Sequence, residues 1–398
     1  MKVSAIETLH ADAGWRNFSF CKITTDDGLV GWSEYQEGFG SPGVSAAIDS
    51  LSALVAGSDP MATERTFWTL YAAIRPAAAG VAAQAVAAIE NALLDVKAKA
   101  LGVPAHVLLG GAMRERIRVY WSHCATYRVA LAEMHGEEPV RSLDDIRRVG
   151  QEVRARGFTA LKTNLFRFDL SPALWAPGFN MPPGEFDLNV DAPLLRALRA
   201  QMEAFRDGAG EDMDILLDLN FNVRTEGLLK ILRSLDDLGL FWVEIDSGDA
   251  QGLALARQKA DTPIAGGETL FGLRGFRPFL DARSYDVPII DAVWNGVAQS
   301  MKIAAAAEAY ETNIAPHNFY GHLSTMMNAH FVAALPNLRI MEIDIDQVPW
   351  RDALFTHAPE IVDGHLILPD RPGWGTEPDE DAVRAHPPKG GAMMRLEE

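Results

Sequence analysis

From residue 116 to residue 344 the chain repeats one beat: a short β-rich run ending in polar residues, then a segment of helical pattern. The runs are RIRVYWS, FTALKTN, DILLDLN, LFWVEID, TPIAGGE, VPIIDAV, TNIAPHN and LRIMEID. Eight strands with helices between most of them predict an α/β fold of the (β/α)8-barrel type. Such barrels collect their chemistry at the C-terminal ends of the strands. The polar residues at those ends are Lys162, Asp218, Glu244, Glu268, Asp291, His317 and Glu342. From Asp218 onward they fall 26, 24, 23, 26 and 25 residues apart, about one strand–helix unit each. Their side chains are therefore expected to ring one cavity.

What flanks the beat differs in kind. The first 36 residues read as a β-meander: the apolar alternation of 17–24 and 29–34 brackets Thr25-Asp26-Asp27-Gly28, a hairpin turn. Helical patterns follow over 44–56, 61–74 and 80–101, the last stopped by Gly102 and Pro104. Residues 1–115 are thus expected to form a small α+β domain and 116–345 the barrel. The Pro-, Asp- and Gly-rich stretch 346–398, with no clear helix, reads as a tail returning to the first domain. One segment, 167–189, interrupts the beat with Trp175, Phe179, prolines and glycines. It reads either as a loop over the catalytic face or as a disordered surface insertion.

Composition narrows the function classes. With 48% apolar residues the chain can bury a large core. Its most apolar stretch, 77–94, is interrupted by Gly80, Gln84, Glu90 and Asn91, so no membrane span is expected. MKVSAIETLH lacks the apolar segment of a secretory signal. Two cysteines, Cys21 and Cys124, argue against a disulfide scaffold or cysteine metal site and fit a reducing cytoplasm. A net charge of −18 disfavours nucleic acid and anionic membrane as partners. An anionic substrate then needs a locally positive site, which a bound divalent cation supplies.

Carboxylates on three neighbouring strands, Asp218, Glu244 and Glu268, suit a hard divalent ion such as Mg²⁺, which takes oxygen ligands and keeps positions open. With no cysteine or paired histidines nearby, zinc is disfavoured. On the next two strands Asp291 can orient His317 as a general base. A cation clamping a carboxylate beside such a base is what abstraction of an α-proton requires.

The stretch from Ala87 through Ile89-Glu90-Asn91-Ala92-Leu93-Leu94-Asp95, continuing through Lys97, Ala98, Gly102, Pro104 and Leu108-Leu109-Gly110-Gly111, resembles the signature of the mandelate racemase/muconate lactonizing enzyme family of the enolase superfamily. The resemblance covers essentially the whole chain. It implies an α+β capping domain on a modified barrel, (β/α)7β, with Asp218, Glu244 and Glu268 as magnesium ligands. It also implies the His317–Asp291 dyad of the mandelate racemase subgroup and Glu342 as the eighth-strand acid on the substrate-carboxylate side.

The chain departs from that family at two places. Racemases carry Lys-x-Lys at the second strand end; here it is Lys162-Thr163-Asn164, and an amide accepts no proton at neutral pH. The Lys-x-Asn pattern resembles galactonate dehydratase and related acid-sugar dehydratases, yet their aromatic–histidine pair after the first metal ligand is Leu219-Asn220 here. The expected activity is therefore Mg²⁺-dependent dehydration of an aldonate or aldarate to a 2-keto-3-deoxy acid, with Lys162 and Glu342 completing the catalytic set. The alternatives are an epimerase or lactone cycloisomerase, or a silent sensor. The leaving-group acid stays unassigned. Trp15 and Arg16, with Gly38-Phe39-Gly40, are expected to occupy the capping loops of such a family; Arg16 reads as a substrate contact or an ordinary surface arginine. Asn164, Asn220 and Asn295 are expected to face a polyhydroxylated ligand, and His123 to line the pocket. His322 reads as a second acid–base group or a structural helix histidine. A homo-oligomer acting on a small hydroxy acid is expected.

Overall fold

The computed structural model describes residues 1–37, 41–170, 173–178 and 188–390. An antiparallel sheet opens the chain, with strands β1 (Val3–Asp12), β2 (Asn17–Thr25) and β3 (Val30–Tyr35) in that order. The turn between β2 and β3 is closed by Gly28 N–H donating to Thr25 O, with Gly28 at φ +85°. Helices α1 (Val44–Val55) and α3 (Gly80–Ala100) pack on this sheet, and α2 (Thr63–Ala73) packs on α3. The alanine-rich α3 is buried almost all round, because β3 lies on one side of it and the barrel on another. Small side chains permit that approach. Gly31 of β3 comes so close that a Cβ there would lie 2.5 Å from Ala92 O and 2.4 Å from Val96 Cγ2.

Eight parallel strands follow: β4 (Arg116–Ser122), β5 (Ala160–Thr163), β6 (Asp214–Asp218), β7 (Trp242–Glu244), β8 (Ile264–Gly266), β9 (Val287–Ile290), β10 (Ala315–Pro316) and β11 (Met341–Asp344). They are paired in sequence order from β4 to β10. β11 returns to pair with β4, and Ile314, next to β10, bridges Leu338 ahead of β11, so the sheet curls round on itself. The strands are short, apolar and buried on both faces, as parallel strands under helices require. Helices between them are one-sided: Thr225–Leu235 buries Leu228, Ile231, Leu232 and Leu235 at helical spacing. Their starts are held by Ser142, Asp191 and Asp249, each accepting a backbone N–H three residues on.

The tail differs from the sequence expectation. It contains a hairpin, β12 (Ile361–Val362) and β13 (His365–Ile367), and a helix, Glu380–Ala385. β13 pairs antiparallel with the first half of β4, so the tail docks on the barrel as well as on the capping domain. Trp374 makes the second contact: its N–H donates to Asp95 Oδ1 and its indole to Trp32 O. Within 167–189, Trp175 N–H donates to Leu165 O, and Gly178 N–H donates to Asn222 beyond β6. That part of the segment lies at the strand-end face. Gly38-Phe39-Gly40 and Phe179 fall outside the described residues, and no helix among the described residues is long and apolar enough to cross a membrane.

His330 joins barrel helix, capping domain and tail. It is fully buried, stacks on His106 at 5.1 Å and has Nε2 3.2 Å from Trp374 O. Burial, then the neighbouring His106, lower its pKa to about 3. The unfolded chain binds that proton near pH 6.5, so the stabilisation is complete above pH 6.5 and is lost as pH falls toward 3. Other buried groups act in both directions, so a difference isolates the effect. The stability advantage of wild type over His330→Leu in urea unfolding is expected to shrink by about 1.4 kcal/mol per pH unit below 6.5. A gap unchanged between pH 7.5 and 5.5 would count against it.

Candidate active site

The strand ends place the expected residues as two groups at one mouth of the barrel. The first surrounds Lys162, which projects from β5 and is buried. Its Nζ lies 2.9 Å from Glu342 Oε1, 3.1 Å from Glu244 Oε2 and 3.4 Å from Asp218 Oδ2. Burial alone would favour the neutral amine, but Glu244 and Glu342 hold its pKa well above the usual lysine range. Lys162 thus sits as a cation among three carboxylates. Burial raises the pKa of Glu342, yet Lys162, His317 and His123 outweigh it and keep the carboxylate ionised. Glu342 is further held by Ser122 Oγ at 2.5 Å and Asn318 N–H at 2.7 Å.

The second group is the dyad. His317 Nδ1 lies 2.6 Å from Asp291 Oδ2, and Nε2 lies 3.4 Å from Glu268 Oε2. Asp291 is the better-held partner: Tyr320 OH donates to Oδ2 at 2.5 Å, and Trp294 N–H donates to Oδ1 at 2.8 Å. The capping domain steadies that loop, because Asn91 of α3 donates to Ala292 O and accepts from Val297 N–H. Burial disfavours a charged imidazole at position 317, but Glu268 first and Asp291 next raise its pKa to about 10.

Asp218, Glu244 and Glu268 come from β6, β7 and the end of β8. Burial, with the charges of neighbouring acids, pushes Glu244 and Glu268 well above the ordinary carboxylate range. A fourth acid, Asp246, stands among them, raised to about 6 by burial and by Asp218 and Glu244, and hydrogen-bonded to Glu268. This all-oxygen, charge-crowded donor set fits a hard divalent cation. As the side chains stand, no three His, Cys, Asp or Glu among the described residues already form a cage. Lys162 lies between Asp218 and Glu244.

The remaining expectations divide. Asn164 is buried and donates to Asp218 O and Asn220 Oδ1, both at 3.3 Å. Asn220, at φ +48°, donates its N–H to Asp218 Oδ1. Both asparagines therefore brace the first acid of the ring. Asn295 does not present its amide to the mouth: it donates to Leu270 O and Asp291 O and accepts from Gly272 N–H, tying two loops together. Arg16 is not a surface residue. It is buried, pairs with Asp344 at 2.9 Å and donates to Phe319 O, so its guanidinium is already engaged by protein acceptors. Trp15 is buried against Tyr127, with ring centroids 5.6 Å apart. His322 pairs with Asp352 at 2.7 Å, and burial lowers its pKa to about 4, a structural role. His123 contacts Phe319, whose ring also lies 5.0 Å from His317. Asp246, Asp344 and Tyr320 were absent from the sequence reading. The first two stand in phase with Glu244 and Glu342, the one signal that would have found them.

Comparison with known proteins places this geometry in a family. The profile described as "Mandelate racemase / muconate lactonizing enzyme, N-terminal domain" matches residues 4–110, and "Enolase C-terminal domain-like" matches 144–382. D-xylonate dehydratase of Haloferax volcanii is 27% identical, over 99% of this chain and 90% of its own length. D-galactonate dehydratase of Xanthomonas oryzae is 29% identical, over 96% and 94%. A Burkholderia xenovorans structure, provisionally named an L-alanine-DL-glutamate epimerase and bound to magnesium and fumarate, is 57% identical with a TM-score of 0.96, covering 100% of this chain and 98% of that one. The 3,6-anhydro-D-galactonate cycloisomerase of Zobellia galactanivorans is 25% identical with a TM-score of 0.81, covering 98% and 100%. The chain belongs to the mandelate racemase/muconate lactonizing enzyme family of the enolase superfamily.

Proposed function

We propose that the protein is a Mg²⁺-dependent acid-sugar dehydratase that removes water from an aldonate or aldarate. The observation that carries the reading is the His317–Asp291 contact of 2.6 Å, with Nε2 turned toward the acid cluster. Asp218, Glu244 and Glu268 would hold the ion, which when bound offsets the charge developing on the substrate carboxylate. Asp291 orients His317 and supports its positive charge as it takes the α-proton. Lys162 adds a fixed positive charge beside the ionised Glu342. Loss of the β-hydroxyl as water and tautomerisation of the enol give a 2-keto-3-deoxy acid.

The name of the Burkholderia relative favours a second reading, epimerisation at the α-carbon. That reaction needs a base on each face. Asn164, where racemases of the family carry the second lysine, has no basic group, which is why dehydration is preferred. One experiment separates the two. Aldonates and aldarates, D-galactonate and D-xylonate among them, are incubated with enzyme and Mg²⁺ in D₂O and followed by NMR. A 2-keto-3-deoxy product with unreacted substrate of unchanged configuration is expected. α-Epimerised substrate without keto acid would select the second reading.

A further inference from the structure

Dehydration needs an acid for the departing hydroxyl, and the third-strand residues Leu219 and Asn220 offer none. A second imidazole lies at the same mouth. His123 follows β4 directly. Its Nδ1 lies 3.0 Å from Ser122 Oγ and 3.6 Å from Asp344 Oδ1. Ser122 in turn donates to Glu342, so His123 is coupled to the same acid that Lys162 touches. Asp344 is held by three donors: Arg16 at 2.9 Å, Tyr127 OH at 3.1 Å and Gln347 at 2.6 Å. The His123 ring stacks on Tyr127 at 4.9 Å and keeps 17% of its surface open, whereas Asp344 has none.

Two further facts separate this arrangement from an incidental histidine. His123 sits at φ +49° and Ala125 at φ +68°, left-handed conformations that cost a non-glycine residue and collect where a side chain is held for use. The ring of Phe319 also touches both imidazoles, with centroids 5.0 Å from His317 and 5.8 Å from His123. The two imidazoles therefore meet one aromatic ring from different strand ends, each with an acid near Nδ1. This is the disposition an elimination needs, with a base at one carbon and an acid at the next.

We propose that His123 is the acid that protonates the leaving hydroxyl, an assignment that rests on the dehydratase reading. His317 Nε2 takes the α-proton, and the C–H electron pair becomes the enediolate. As that pair forms the C–C double bond, the β-carbon–oxygen bond breaks and the proton on His123 Nε2 passes to the oxygen, which leaves as water. The neutral His123 regains its proton from solvent. Asp344 and Ser122 position the ring, and Arg16 fixes Asp344.

The test uses His123→Gln with Mg²⁺ and the acid sugar that wild type dehydrates fastest in the panel above. Its 3-deoxy-3-fluoro analogue is run in parallel, because fluoride leaves without a proton. Keto acid formation from the sugar should fall roughly 10²–10⁴-fold. Solvent deuterium should still enter the α-position, because His317 is intact, and the fluoro analogue should be consumed at a rate close to wild type. Unchanged dehydration overturns the assignment, as does parallel loss of dehydration, exchange and fluoride release. A wild type that dehydrates no member of the panel overturns the dehydratase reading, and the assignment with it. That outcome is seen without any variant.

Discussion

His317→Asn is expected to lose both dehydration and exchange of the α-proton, with turnover down by roughly 10³–10⁴-fold, the upper range for a general base. The fold should survive. Asp291 keeps Tyr320 OH and Trp294 N–H as donors, so no buried carboxylate is stranded, and the asparagine amide is smaller than the ring it replaces. Asp291→Asn should cost less, because it removes orientation and charge support while leaving the imidazole. The two variants together distinguish a base from a positioned bystander. If His317→Asn continued to exchange deuterium into the α-position, the base would lie elsewhere.

Glu244→Gln is the second large effect. It removes one of the three acids around Lys162 and, on the proposed assignment, a charged ligand of the cation. Mg²⁺ affinity should weaken more than about 100-fold, beyond the 10–100-fold typical of losing an outer partner of a metal site. Turnover should fall below detection. Lys162 retains Asp218 and Glu342, so the buried ammonium stays compensated and the chain stays folded. The rise in melting temperature with added Mg²⁺, a readout independent of activity, should be present in wild type and absent in the variant. An unchanged Mg²⁺-induced shift with native turnover would remove Glu244 from the ligand set.

The barrel was legible because its signal is repeated: each strand–helix unit restates the same period, so errors at one boundary do not shift the next. The acids at 218, 244 and 268 and the dyad residues at 291 and 317 were legible for the same reason. Taking one polar residue per strand end, however, dropped Asp246 and Asp344, which follow Glu244 and Glu342 by two residues. The protein partners of Arg16 and Asn295 were not legible, because their acceptors cannot be seen locally. Asp344 lies 328 residues from Arg16, and Leu270 O is a backbone group with no sequence signature. The tail hairpin was missed because strands of two and three residues carry no periodicity.

The placement of β4 has a consequence for how the chain is made. This strand leaves the ribosome early, yet two of its three partners, β11 and β13, lie more than two hundred residues downstream. At translation rates of about 5–20 residues per second, β4 waits on the order of ten seconds or more with open edges. Only β5 can cover part of it in that interval, through the Trp121–Leu161 pair. A nascent chain stalled before residue 341 would therefore expose unpaired, aromatic-rich β-edge, a template for aggregation and a natural site for chaperone capture. Barrel closure thus waits on residues 341–344, and truncations that remove them should lower soluble yield far more than their few buried side chains suggest.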